Sequence, residues 1–533
     1  MFRKHFLLLV LFFIFSSCDD KPKSSTKIEE LLPANTVWLA EVNDWEELQE
    51  KKSQSRVFEI LSAFEELAKF QNHLQFLSKP QAKDSLQNLL QSSEIYLANV
   101  LAGADRYHWL GIIISSQKSA ERLFKRYNQA KKLEYAGKEL YYLPLNEELG
   151  FYLHRGEDYY LVSSDRITIE SAIRQKASST QVAEFDGLKN IRNSRNTKAP
   201  LNFYLKLDQW PDYLASISKI KTSFPAKMGD WLLLDIESEK HDLIATGLLN
   251  HPQSEAYFPQ SLTDLRSDQV EAQKLIPINL AYWLHFSVGN AGQYQRAFED
   301  YLEKDDRLKE HQEILSKLPT NAPDLLRGII DSELGCFQAG RAQNHAYDFA
   351  YFNVRDIELA EQSLESLADS NFIEGYRGHV IRKLSAMNLL PRVYGLAFEA
   401  FHQPYYLIHK DFVILGNELA ALKVVLNDIL DQKTLDRSDS YLNLSNQLSG
   451  KAQIQVLYGI PEWLPNQRGV LNTKLSTEIE ELQDSLQNLR WGILQLRAGK
   501  DRSFISAMVR EEKPIEEKIV RQWTVQLDGQ PVN

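Results

Sequence analysis

Short apolar runs, alternating or continuous, dominate this chain, and helical spacing occurs singly between them. Pro33 and Asn35 form a turn before the apolar run Val37-Trp38-Leu39-Ala40. Val57, Leu61, Phe64 and Ala68 then recur at spacings that place them on one face of a helix. Residues 95–100 and 107–114 predict two strands. Ser116 stands where a helix N-cap is needed, because its hydroxyl can accept from a free amide of the first turn. Residues 151–164 carry Arg155-Gly156-Glu157-Asp158 between β-rich runs, which predicts a hairpin. Residues 201–207 predict another strand, and residues 231–249 a closing hairpin around Glu239-Lys240. Strands predominate without regular βαβ alternation, so the expected class is α+β with largely antiparallel sheet.

The pattern is written twice. Leu32-Pro33-Ala34-Asn35 before one apolar run returns as Ile276-Pro277-Ile278-Asn279 before Ala281-Tyr282-Trp283-Leu284. Ser93-Glu94-Ile95 returns as Ser332-Glu333-Leu334, and residues 107–124 lie without gaps on residues 347–364. Residues 157–164 match 410–417, Trp210-Pro211 matches Ile460-Pro461, and Trp231 to Lys240 matches Trp491 to Lys500. Pro211 and Pro461 suit the first position of a short helix, where no amide partner is lost. The six offsets are 244, 239, 240, 253, 250 and 260 residues, in unbroken order. Such a period is far longer than a solenoid repeat, so each copy is expected to be a domain. Expected boundaries are 30–250 and 274–513, joined by a polar linker at 251–273 and followed by a tail at 514–533. The tail carries one strand-like run, 522–527, which needs a partner sheet.

The N-terminus changes the picture. Arg3 and Lys4 precede ten apolar residues, 6–15, then Ser16, Ser17 and Cys18. A charged start, short apolar core and small-residue exit describe a secretory signal. Ten residues fall short of the about 20 that a helix needs to cross a bilayer. A signal ending in small-small-Cys resembles that of bacterial lipoproteins, which implies cleavage between Ser17 and Cys18 and acylation of Cys18. Several acyl chains suit an anchor, because one chain gives only marginal binding. Residues 18–29 are polar and charged, a tether. Asp19-Asp20 resembles surface-export signals of some bacteria and inner-membrane retention signals of others, so membrane and leaflet stay open.

The formal net charge is −11 at neutral pH, and loss of Arg3 and Lys4 with the signal makes it −13. That balance opposes nucleic-acid binding and contact with anionic headgroups. The expected membrane contact is therefore the lipid alone, with an envelope protein as partner. After acylation of Cys18 only Cys336 remains, so no intramolecular disulfide can form.

Candidate chemistry is sparse. Ser115-x-x-Lys118, Ser194-x-Asn196 and Lys221-Thr222-Ser223 follow the order of the three motifs of penicillin-recognising serine enzymes. In that reading Ser115 is the nucleophile and Lys118 its activator. The third motif has serine for glycine, and in the second copy Arg355 and Glu358 replace Ser115 and Lys118. No histidine or cysteine spacing matches a metal site, and no cofactor motif is present. His154 and His409 read as surface histidines on strands, and Cys336, matched by Leu97, as core. Gly289-Asn290-Ala291-Gly292 lacks the spacing and the Lys-Ser/Thr of a phosphate loop.

Leu32-Pro33-Ala34-Asn35-Thr36 before a strand, and GEDYYLVSSDRITIESAI at 156–173, resemble a bacterial family known as domain of unknown function 3352. The resemblance implies an exported protein and transfers no catalytic residue. The leading expectation is a lipid-anchored, non-catalytic envelope protein that binds or scaffolds. The alternatives are an envelope serine hydrolase using Ser115 and Lys118, or a carrier of a small apolar ligand.

Overall fold

The computed structural model describes residues 26–64, 93–102, 106–115, 130–144, 150–178, 185–239, 241–267, 269–319, 321–342, 345–467 and 469–512. In the first copy the strands are β1 (Thr36–Val42), β2 (Glu94–Leu101), β3 (Tyr107–Ile114), β4 (Lys131–Tyr135), β5 (Lys138–Pro144), β6 (Gly150–Arg155), β7 (Tyr159–Ser163), β8 (Leu201–Lys206), β9 (Trp231–Ser238) and β10 (Asp242–Asn250). In the second they are β11 (Leu280–Ser287), β12 (Ile330–Ala342), β13 (His345–Val354), β14 (Ala368–Tyr376), β15 (His379–Leu384), β16 (Tyr405–His409), β17 (Phe412–Gly416), β18 (Ile454–Gly459), β19 (Leu489–Arg497) and β20 (Arg502–Glu511). Every pairing between them is antiparallel, and helices are inserted between strands, so the fold is α+β.

The first copy runs in the order β4-β5-β6-β7-β3-β2-β1-β8-β9-β10. The second runs β14-β15-β16-β17-β13-β12-β11-β18-β19-β20, the same order strand for strand. Registers repeat too. Glu41 pairs with Tyr96 as His285 pairs with Gly335, and Leu205 with Leu232 as Tyr458 with Gly492. The gapless match of 107–124 on 347–364 is one residue out along β3. Leu110, Ile112 and Ile114 face the core under Tyr96 as Phe349 and Tyr351 do in the second copy, so Ile112 is the counterpart of Tyr351. A slip of one residue turns a strand's side chains to the other face, which sequence similarity alone did not detect.

The two sheets are one. β10 and β20 pair along nine residues, joining the copies edge to edge into a twenty-stranded sheet. This covers an edge that each copy alone would expose. At one end of the seam Arg510 grips buried Asp242 with two parallel hydrogen bonds of 2.8 Å.

Helices cover both faces. On one face the helices Arg166–Ala177 and Asp186–Arg192 bury Ile169, Ala172, Leu188 and Ile191 against Leu39, Tyr96 and Ile112. Their counterparts Leu419–Leu430 and Asp439–Ser445 do the same over Trp283, Phe337 and Tyr351. On the opposite face the second copy carries the helices Ala291–Lys304, Leu308–Ser316, Ala322–Ile329 and Ile357–Ser366 over Leu334, Cys336 and Phe352. Asp356 caps the last of these by accepting from Leu359 N–H at 3.0 Å, as its residue type predicts. Pro211 stands in the first turn of the helix Trp210–Ile217. The helix Arg56–Ser62 carries Val57 and Leu61 onto the second copy's Leu486 and Leu489. Ala68 and Ser116 lie outside the described residues, as do Lys240 and the run 522–527.

Residues 251–275, which look polar and without a face, are built into the body. Tyr257, Leu262, Leu265, Ala272 and Leu275 are buried. His251 Nε2 lies 2.8 Å from Ser503 Oγ on β20. No helix among the described residues is long and apolar enough to cross a membrane.

Candidate functional site

Two buried polar positions occupy the same place in the two copies. On β1, Val37 and Leu39 point into the core, and so does Glu41, an acid at an apolar position. Its carboxylate accepts from Arg192 Nε at 3.1 Å and Nη2 at 2.9 Å, and from Tyr204 Oη at 2.7 Å. Arg195 Nε lies 3.3 Å away. Burial pushes the Glu41 pKa up, but Arg192 and Arg195 outweigh it and hold the acid below its ordinary 4.5. Burial and the neighbouring carboxylate drive Tyr204 upward, so its proton stays in place as donor. The group ties the helix Asp186–Arg192 to the sheet and is closed to solvent, with Glu41 only 5% exposed.

In the second copy His285 replaces Glu41, and charge disappears. Trp283 Nε1 donates to Tyr351 Oη at 2.8 Å, and Tyr351 Oη lies 2.8 Å from His285 Nδ1. An indole N–H can only donate, so Tyr351 Oη accepts from Trp283 and its own proton is available to His285 Nδ1. Burial lowers the His285 pKa to about 3, keeping the ring neutral. In the first copy the tyrosines at Glu41 are Tyr204 on β8, which donates to it, and Tyr96 on β2, its hydroxyl 3.4 Å away; in the second the tyrosine comes from β13, and β12 has Gly335 at the counterpart of Tyr96. A Cβ on Gly335 would lie 2.6 Å from Tyr351 Oη and 2.3 Å from Leu284 O. Both arrangements brace the core, and neither opens to a substrate.

An accessible recess lies in the second copy. Gly289, at φ +59°, turns the chain out of β11 so that Asn290 can cap Ala291–Lys304, accepting from Gln293 N–H at 3.0 Å. The start of that helix faces the helices Ala322–Ile329 and Ile357–Ser366 across a cleft of about 510 Å³. Asn290, Gly292, Gln295, Asp324, Arg327, Arg355, Asp356 and Leu359 line it. Behind it a pouch of about 20 Å³, room for about one water, is lined by Tyr294, Phe298, Val393 and Tyr394 and shares Ala291, Gln295, Arg327 and Ile330 with the cleft. Arg355 is engaged with Asp331 at 2.5 Å, and Asp356 with its cap. Arg327 has no ion pair or hydrogen bond among the described residues, and the buried Tyr394 hydroxyl has no partner there either. Burial pushes the Tyr394 pKa up, so the hydroxyl keeps its proton and can donate.

The residues singled out by sequence are scattered. Ser17, Cys18 and Lys118 lie outside the described residues. Ser115 follows β3 and is buried, its N–H bonded to Asp158 O at 2.8 Å. Ser194 accepts from Arg502 Nη1 at 2.7 Å, and the Asn196 N–H donates to Asp235 Oδ2 at 3.2 Å. Both precede β8, three strands from β3, or about 14 Å at the usual strand spacing. Lys221, Thr222 and Ser223 precede the helix Phe224–Met228, at the other end of those strands. The three motifs are therefore not gathered into one site. Cys336 is a free, buried core thiol as expected, and burial pushes its pKa to about 12.

His154 and His409 are buried rather than on the surface. His154 Nδ1 lies 2.8 Å from Glu139 O, and His409 Nδ1 lies 2.9 Å from His379 Nε2. Strand ends remain covered when a neighbouring hairpin folds over them, which alternation does not reveal. Among the described residues no group of three or more His, Cys, Asp or Glu is placed to hold a metal. Sequence reasoning missed Arg327, which no motif marks. Gly289-Asn290-Ala291-Gly292, set aside as a phosphate loop, was the available signal for the cleft, as a turn and cap.

No protein-family model matches the chain, and no curated protein matches it significantly. Two solved structures show slight similarity, both of a protein called TP0453. Crystal form III is 11% identical with a TM-score of 0.24, over 46% of this chain and 90% of that one. Crystal form I is 8% identical with a TM-score of 0.23, over 44% and 82% respectively. Likeness at this level supports no inference about fold or function.

Proposed function

We propose that this protein is a lipid-anchored component of the bacterial cell envelope that binds rather than catalyses. The observation that carries the reading is Cys18, set directly behind a ten-residue apolar run and two small residues and ahead of a polar tether. The lipid is its membrane contact, and the folded body, tethered at residue 26, presents the binding surface.

Two structural features favour binding over the alternatives. The two recesses described are an open cleft lined by both polar and apolar groups and a pouch the size of a water, neither of which is an enclosed apolar cavity large enough for a carrier's ligand. The cleft is lined by hydrogen-bonding and charged groups, Asn290, Gln295, Arg327 and Arg355, without a serine, cysteine or histidine among its lining residues. Such a surface recognises a polar partner or ligand.

The test is intact mass with metabolic acyl labelling of the wild type and of Cys18→Ala. Label in the wild type that is lost in the variant is expected. An unlabelled protein released without membrane attachment would overturn the anchor.

A further inference from the structure

We propose that the cleft at the start of the helix Ala291–Lys304 binds a small anionic group, a carboxylate or a phosphate, with Arg327 as its main partner. This deepens the binding reading and rests on it, but does not depend on the lipid.

Of the two arginines that line the cleft, only Arg327 is without an ion pair among the described residues. Arg355 is neutralised by Asp331. Asp356 holds the cap of its own helix. Asp324 stands in the first turn of Ala322–Ile329, where the helix dipole favours an acid, and is exposed to water. Arg327, in the last turn of the same helix, is half-buried and makes no ion pair among the described residues; Glu299, which shares the lining of the pouch with it, accepts from Gln295 instead. A half-buried guanidinium with five donors and no acceptor is an open demand for an anion.

Two further features answer the same demand. The first-turn amides of Ala291 and Gly292 have no acceptor within their helix, as is true of any helix start, and Gly292 carries no side chain to cover them. The Tyr394 hydroxyl, buried beside Arg327 in the pouch, lacks a partner and costs stability until it finds one. It is independent of the helix start and can donate to an oxygen held at Arg327. Leu359, 47% exposed, and Ile329 give the cleft an apolar wall. An anionic group carried on a short apolar body fits these walls better than a free ion.

The test is calorimetric titration of the full chain, purified in detergent, with inorganic phosphate and separately with acetate at constant ionic strength. Saturable binding of at least one is expected. Arg327→Gln should weaken it at least about tenfold, the worth of a charge-assisted hydrogen bond, and Tyr394→Phe should weaken it several-fold. Arg327→Lys serves if the glutamine variant does not fold: it keeps the charge, loses the fork, and should weaken phosphate measurably. Preference for phosphate or for acetate distinguishes the two ligand chemistries. Binding of neither anion, or binding unchanged in the Arg327 variants, overturns the proposal. Acyl label on Cys18 without anion binding refutes the cleft and leaves the anchor; anion binding without label does the reverse.

Discussion

Thr246 on β10 pairs directly with Ser506 on β20, and the two are each other's counterparts in the duplicated halves. The pair marks a pseudo-twofold axis at the centre of the seam. Two-fold contacts bring one surface patch against its own copy, so residue i meets j and j meets i. The seam obeys this: Asp242 pairs with Arg510, and their counterparts Arg502 and Asn250 pair at the other end. An arrangement available to a dimer of single copies is thus held within one chain.

Chemistry breaks that symmetry, and stability should follow. Asp242 is buried with Arg510, whereas Arg502 is exposed and faces neutral Asn250. Arg510→Gln leaves a buried carboxylate unpaired and should cost about 3 kcal/mol. Arg502→Gln should cost under about 1 kcal/mol. Urea-denaturation midpoints of the two variants check the difference; equal shifts would refute it.

Gly335→Ala should destabilise the second copy by about 2 kcal/mol or more, because the new methyl meets both the Leu284 carbonyl and the Tyr351 hydroxyl. Gly328→Ala, a helical position where a Cβ meets nothing within 4 Å, should be neutral or stabilising. Thermal melts of the two variants make the comparison.

His285 makes the fold acid-sensitive. Its pKa falls from 6.5 to about 3 on folding because burial disfavours the imidazolium. The folded state then binds fewer protons than the unfolded one, so stability is whole above pH 6.5 and drains as pH falls toward 3, by up to about 1.4 kcal/mol per unit. His285→Phe should flatten the profile between pH 6 and 4 as read by thermal melts. An unchanged slope would show that other groups, such as His251 with its pKa lowered to about 4 by burial, dominate.

Asp230 works in the opposite direction. Burial, then the nearby Asp208, raises its pKa from 3.8 to about 6. The folded state holds its proton longer, so stability declines as pH rises from 3.8 through 6. Asp230→Asn should therefore gain on the order of 1–2 kcal/mol at pH 8 and nothing at pH 3.5. A gain of equal size at both pH values would show that charge is not the cause.

Individual elements were legible because their signals are local. Val37 to Ala40, the hairpin at Arg155 to Asp158, the cap at Asp356 and Pro211 at a helix start each depend on neighbours in sequence. The duplication was legible because six matches kept their order. Register along β3 was not, since Gly111 and Ile112 both match an apolar strand, and only the core decides which of them is the counterpart of Tyr351. The segment 251–275 was misread because its buried residues follow no period: Tyr257 and Leu262 pack individually from short turns.

The sequence by itself determined the N-terminal signal pattern with Cys18, the α+β class with antiparallel sheet, the duplication, and the burial of Cys336, but not the strands Lys131–Tyr135 and Lys138–Pro144. What it did determine follows from composition, period and local chemistry, which act over a few residues. Tertiary structure alone decided that the two sheets are one, that Glu41 is ionised in the core while His285 is neutral, and that Arg327 faces a cleft. Each depends on which groups meet across hundreds of residues. A carboxylate can stay charged in a core only where guanidiniums arrive from another element, and an arginine stays without an ion pair only where the carboxylates around it are held elsewhere, as Asp356 is by its cap and Glu299 by Gln295.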